Sequence, residues 1–377
     1  MDTAIRNGMV IDGTGGARYA GDIGIHDGRI VAVGKLSAPA AVDIDAAGMI
    51  VAPGFIDIHT HCDAQAFWDP LLSPSAFHGV TTVLAGNCGF TLAPLSGDPE
   101  DADQLLRMLS RVEGMPLATL RAAVRPDWRS FGEYLDKLDG TLAIHTAFMV
   151  GHSALRRAIM GQRAVTDLAT PAEIEPMCAL LRRSLAEGGV GFSTTIAATH
   201  SDYEGQPVPS RVASREEMVT LAGGAGEFPG TWLEMVFGVQ VMQEEHYALA
   251  ADMARAAESN DDRSWQIRRG LLPLEKAVHR ITGLPAERFG LTGRGVLAPG
   301  AVADIVVFNP DTVDCGPIAM RHDLPGGEKR LYADAIGIAQ VMVGGAVVAQ
   351  DNRAKGVMAG RVLRSGRDTH TVGVPQA

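Results

Sequence analysis

Short apolar stretches separated by glycine-containing turns mark both ends of the chain, while the middle alternates such stretches with longer segments of helical spacing. In residues 1–48, Thr3 to Arg6, Met9 to Ile11, Asp22 to Ile25 and Arg29 to Val33 have strand character, with Asp27-Gly28 a hairpin signal between the last two. Arg294 to Phe308 and Ala339 to Val348 repeat that style, so the composition permits the two ends to form one β-sandwich with the middle inserted. In the middle, strands are expected at Met49 to His61, Gly79 to Gly89, Leu142 to His152, Gly189 to Thr194 and Thr231 to Phe237. Helices are expected at Pro171 to Glu187, from Ser214 to Ala222 with a Ser214/Glu217 capping box, at Glu244 to Ala257 and at Pro273 to Thr282. Between Gly238 and Pro273 no apolar run of strand length stands out, and Glu258 to Ser264 is polar.

At 377 residues the chain is long enough for one large core and a smaller one. A formal charge of −11, without a Lys/Arg cluster, excludes a phosphate-neutralising nucleic-acid surface. No apolar segment approaches the roughly 20 residues that span a bilayer, so no membrane partner is expected. Four cysteines without a C-x-x-C pair, and an N-terminus that runs straight into strand-like sequence, point to the reducing cytoplasm.

The chemistry gathers around Pro53-Gly54-Phe55-Ile56-Asp57-Ile58-His59-Thr60-His61. Read as a strand, this stretch puts both imidazoles on one face, where they can grip one ion, and two neutral imidazoles suit zinc, nickel or iron. Cys88 ends the next strand beside a glycine, and a thiol there can join the site, because metal binding deprotonates it. His145 and His152, seven apart in one strand and the turn after it, are expected on opposite faces and not to share an ion. The loop Thr199 to Arg211 supplies His200, Asp202 and Arg211, which could hold a carboxylate.

Ala52 to His61 resembles the opening metal strand of the amidohydrolase superfamily, and Val83 to Pro94 resembles the cysteine strand of its N-acyl-D-amino-acid deacylase (D-aminoacylase) branch. Val150 to Arg156, Gly191 to Thr194, Leu271 to Val278 and Gly300 to Asp304 are similar to further segments of that family. The resemblance implies an α/β fold: a (β/α)8-type metal-dependent hydrolase barrel over 51–290 and a small discontinuous β-sandwich domain from 1–50 and 291–377. Eight βα units need roughly 250 residues, and about five are found here, so the barrel is expected to be incomplete. The implied metal ligands are His59, His61 and Cys88, with zinc as the expected cofactor, and the implied substrate is a small acylated amino acid or related amide. His152, His200 and Arg211 are the residues expected to bind it.

The family's histidines on the fifth and sixth strands and its aspartate on the eighth have no counterpart, which leaves Glu234 and Asp202 as stand-ins for the catalytic base. Two readings follow: a metal-dependent hydrolase of amide C–N bonds with weakened deacylase activity, or a catalytically inactive shortened family member or incomplete sequence that acts as a binding or structural remnant. A partial barrel would expose sheet edges, which a homo-oligomer could cover.

Overall fold

The computed structural model describes residues 1–238, 243–257 and 272–372. The polar stretch from Glu258 to Ser264 lies outside the described residues.

The chain ends meet in one nine-stranded sheet. Thr3–Val10 is a single strand where the sequence suggested two, because Asn7 takes up the break as a bulge at φ 62° and is tied by its amide to Asp22 and by its side chain to Asp45. Asp27 and Gly28, at φ 48° and 69°, turn Tyr19–His26 into Arg29–Gly34. The ends are joined where Ile50–Pro53 pairs antiparallel with Ile305–Phe308, which pairs in turn with Ile338–Val343. Ile5, Ile23, Ile25, Val51, Ile305 and Met342 form the core of this region.

The stretch expected as one strand from Met49 to His61 is two. Ile50–Pro53 belongs to the nine-stranded sheet and Phe55–Asp57 to another, with Gly54 as the corner. A Cβ on Gly54 would lie 2.2 Å from the Thr81 side chain, so only glycine lets the chain turn here, and its amide donates to the carbonyl of Asp304 at 2.9 Å. The histidines consequently sit beyond the strand end, in the loop that follows it.

From this corner five parallel segments form an arc. Phe55–Asp57, Val80–Ala85 and His145–Phe148 pair in order. The third segment continues as Val150–Gly151, which pairs with Gly191–Thr195 and then Trp232–Val236. Val362–Leu363, close to the C-terminus, pairs with the outer side of His145–Phe148, so the end of the chain joins this sheet and not the nine-stranded one. Inside the arc, Ile56, Leu84, Ala147, Met149 and Leu363 pack with Ala286 and Leu291. Phe289 meets Trp232 edge-on, 4.8 Å between ring centroids. Among the described residues, Trp232–Val236 has one neighbouring strand, and all five of its residues are only half-buried.

His145 belongs to the joint between the two regions. Its Nδ1 accepts from the Arg361 amide at 3.2 Å, so its Nε2–H donates to Asp304 Oδ1 at 3.2 Å. Asp304 is also paired with buried Arg294 and accepts from the Gly344 amide at 2.9 Å. Burial alone would raise the Asp304 carboxyl, but His145 and Arg294 outweigh it and hold the group well below the ordinary range. Asp304→Ala is expected to cost about 3–5 kcal/mol, because it leaves Arg294 buried without its counter-charge. Urea unfolding would show this as a lower midpoint, and a loss under 1 kcal/mol would contradict the role.

Candidate metal centre

The loop after Phe55–Asp57 is pinned at both ends. The His59 amide donates to Asp57 Oδ1 at 3.2 Å, and Thr60 donates to the Leu84 carbonyl from its amide at 3.0 Å and its hydroxyl at 2.8 Å. With Thr60 turned to the neighbouring strand, His59 and His61 both face the opening of the arc. Across from them the chain leaves Val80–Ala85 through a tight turn, Asn87–Gly89, in which Cys88 has φ 58°. A left-handed conformation is uncommon for a residue with a Cβ and costs of order 1–3 kcal/mol. The turn is held by the Cys88 amide donating to Glu234 Oε2 at 2.7 Å and the Gly89 amide donating to Ser193 Oγ at 3.0 Å.

This brings Cys88 Sγ to 3.4 Å from His59 Nε2 and 3.5 Å from His61 Nε2. A thiol has one proton and cannot donate to both imidazoles at once. Ligand bonds of 2.0–2.1 Å to nitrogen and 2.3 Å to sulfur, spread tetrahedrally, place N and S about 3.6 Å apart. Both sulfur–nitrogen distances are therefore those a zinc-type ion requires, the two imidazole donors lie within 4.8 Å of each other, and the residues fit the metal.

The electrostatics agree. Burial, with His59 and His200 nearby, pushes the His61 imidazole down to about 3, and burial also lowers His59 against the pull of Asp57, so both are neutral, as ligands must be. Burial followed by the charges of Glu234 and Glu113 raises the Cys88 thiol, so a cation is needed to make it a thiolate. Burial lifts Glu113 to about 7, and lifts Glu234 to about 7 against the Cys88 amide. In the protein alone this region disfavours charge of either sign on its own side chains, an imbalance that a bound cation corrects.

Of the other residues expected at the site, Glu234 is there: Oε1 lies 4.0 Å from His59 Nδ1, while Oε2 accepts from the Cys88 amide. His200 is there too, with its ring 5.2 Å from Phe90, which is 5.9 Å from His61. Arg211 donates to the His200 carbonyl at 2.9 Å. Asp202 is not a base: it is buried, and its oxygens accept from Gln104 Nε2 and the amides of Glu204 and Gln206, so it staples its loop. His152 binds no substrate either, being fully buried with Nδ1 on Thr194 Oγ1 at 2.8 Å and Nε2 on Glu217 Oε1 at 2.9 Å. That contact also undoes the expected capping box. Ser214 Oγ caps the Glu217 amide at 3.1 Å, but the Glu217 carboxylate turns inward to His152 and Arg156.

Glu113, which the sequence reading missed, follows helix Pro99–Val112 and puts Oε1 3.5 Å from His61 Nε2. Beside it opens a cavity of about 500 Å³ whose walls include Gln65, Trp68, Met115, Lys329 and Leu331.

A sequence profile described as the amidohydrolase family matches residues 43–263 and 238–349. This chain belongs to the amidohydrolase family. It is accordingly a metal-dependent hydrolase acting on carbon–nitrogen bonds. Residues 1–56 also match the N-terminal domain of the urease alpha-subunit. D-aminoacylase of Alcaligenes xylosoxydans xylosoxydans is 29% identical over 497 aligned positions, covering 96% of this chain and 97% of that one. The alignment is longer than the whole 377-residue chain, so that relative carries a stretch this amidohydrolase lacks. The two profile matches overlap at 238–263, where the sequence runs short of strands. N-acyl-D-aspartate deacylase of the same organism is 41% identical over 197 residues, 51% of this chain and 36% of that one. Among solved structures, D-aminoacylase, described with a binuclear metal center, superposes with TM-score 0.73 at 26% identity, covering 96% of this chain and 99% of that one. N-acyl-D-glutamate deacylase from Bordetella bronchiseptica, complexed with zinc and a phosphonate inhibitor, gives 0.69 at 27% identity over 97% and 100%. None of these comparisons favours the inactive remnant.

Proposed function

We propose that this amidohydrolase removes the acyl group from an N-acyl-D-amino acid, with zinc held by His59, His61 and Cys88. The convergence of those three donor atoms carries the reading, and its relatives include proteins named for N-acyl-D-aspartate and N-acyl-D-glutamate deacylation. The five parallel segments are taken as the first part of a (β/α)8 barrel over 51–290, with 1–50 and 291–377 as a discontinuous β domain from which Val362–Leu363 departs to join the barrel sheet. The free thiols of all four cysteines suit a reducing cytoplasm.

When bound, the metal would polarise the amide carbonyl and lower the pKa of attacking water to about 7. Glu234 is the base in this reading. Its Oε2 is fixed by the Cys88 amide, which leaves Oε1 toward the histidines to take the proton from water and pass it to the departing amine. Arg211 and His200 stand where they can hold the substrate carboxylate. The cavity beside Glu113 is within the 300–1,000 Å³ usual for small ligands and would take the acyl chain or the side chain.

The test is amine release by the zinc-loaded protein from a panel of N-acyl-D- and N-acyl-L-amino acids. The expected result is turnover confined to D-substrates. Turnover of L-substrates alone, or none by protein carrying one zinc per chain, would refute the proposal.

A further inference from the structure

The three-residue metal site leaves open which group takes a fourth position beside His61. We propose that the Glu113 carboxylate is that group, a protein ligand delivered by the end of helix Pro99–Val112. This inference rests on the reading of His59, His61 and Cys88 as a metal site.

Glu113 Oε1 and Cys88 Sγ are each 3.5 Å from the same atom, His61 Nε2. Tetrahedral bonds of zinc length to nitrogen and carboxylate oxygen set the two donors about 3.4 Å apart, so the distance to His61 is that of a donor pair, while the carboxylate stands outside the 4.8 Å cluster of His59, His61 and Cys88 and would reach the ion by a side-chain rotation. The contact comes through Nε2, the atom that also faces the thiol, whereas Glu234 approaches His59 at the far nitrogen, Nδ1. Glu113 would therefore add a fourth protein donor, leaving attacking water the fifth position that zinc can accept, while Glu234, held by the Cys88 amide, stays outside the donor set and free to act as base.

The surroundings of Glu113 agree with that role. It is half-buried, and among the described residues its carboxylate has no hydrogen bond or ion pair apart from the His61 contact. A carboxylate sheltered from water without a donor is unfavourable unless a cation meets it. The backbone adds to this, since Glu113 caps the carbonyl end of its helix, its amide bonded to the Leu109 carbonyl, where the helix dipole disfavours negative charge. The helix itself is anchored by the buried pair between Arg157 and Asp101, at 2.6 Å, so Glu113 is held at the site by a fixed element.

Zinc affinity measured by competition with a chromophoric chelator, together with the absorption spectrum of the cobalt-substituted protein, tests the assignment without an activity assay. Glu113→Gln keeps the shape and removes the charge. It is expected to weaken zinc binding by at least the 10- to 100-fold that loss of an outer partner costs, and to change the cobalt d–d bands while the thiolate-to-cobalt band persists. Glu113→Asp, which draws the carboxylate back by one methylene, should weaken binding less and covers the case in which the glutamine variant does not fold. Wild-type affinity and an unchanged spectrum in the folded variants would overturn the role of Glu113 and leave the three-residue site standing. A wild-type protein that binds no more zinc than His59→Ala would overturn both.

Discussion

Replacing His59 by alanine is expected to empty the protein of zinc and to abolish amide hydrolysis. His59, His61 and Cys88 supply the three donors, and no third imidazole among the described residues joins that cluster. Loss of a group that merely supports a ligand costs roughly 10- to 100-fold in metal affinity or activity, so loss of the ligand itself should exceed that. His59 is about half exposed, and its removal opens no core cavity, so the fold should survive. Metal content after dialysis, thermal unfolding and amine release would be measured on the same preparation. A folded variant that keeps one zinc per chain and full turnover would show that the metal sits elsewhere.

Glu234→Gln is the second large effect, expected to lower kcat by about 10²- to 10⁴-fold, the usual contribution of a general base. Glutamine retains an oxygen for the Cys88 amide, so the left-handed turn at Cys88 need not move. Zinc content should therefore stay at the wild-type level, in contrast to His59→Ala. If zinc and activity fall together, Glu234 acts by orienting His59 and not by moving a proton. If neither changes, the base is another residue.

The metal triad was legible because its parts are local signals: two histidines one residue apart after an apolar run, and a cysteine beside a glycine at the end of the next strand. Its geometry was not. The two imidazoles converge because Thr60 is tied to Leu84 and the loop folds back, not because strand alternation aims them. Gly54 lay inside the stretch read as one strand, and nothing local reveals that Thr81 fills the space where its Cβ would be. Glu217 fits a capping box by spacing, yet a buried histidine and arginine outbid the helix terminus for its carboxylate. Glu113 gave no signal, since its approach to His61 depends on where a 14-residue helix ends relative to a loop some 50 positions earlier. The fold shows the same division: strand identities followed from composition, whereas the pairing of Val362–Leu363 with His145–Phe148 joins segments too short and too distant for any pattern to connect.

During synthesis, Ile50–Pro53 leaves the ribosome long before its partner Ile305–Phe308 exists. At about 5–20 residues per second the delay is roughly 13 to 50 s. Through that interval Val51 and Ala52, both fully buried in the finished protein, lack that neighbour. Gly54 couples the same strand to the metal loop, so the frame behind His59 and His61 is complete only when most of the polypeptide has emerged. A nascent chain stalled before residue 305 would carry the ligand residues and their local contacts to Leu84, but not the strand that backs Ile50–Pro53.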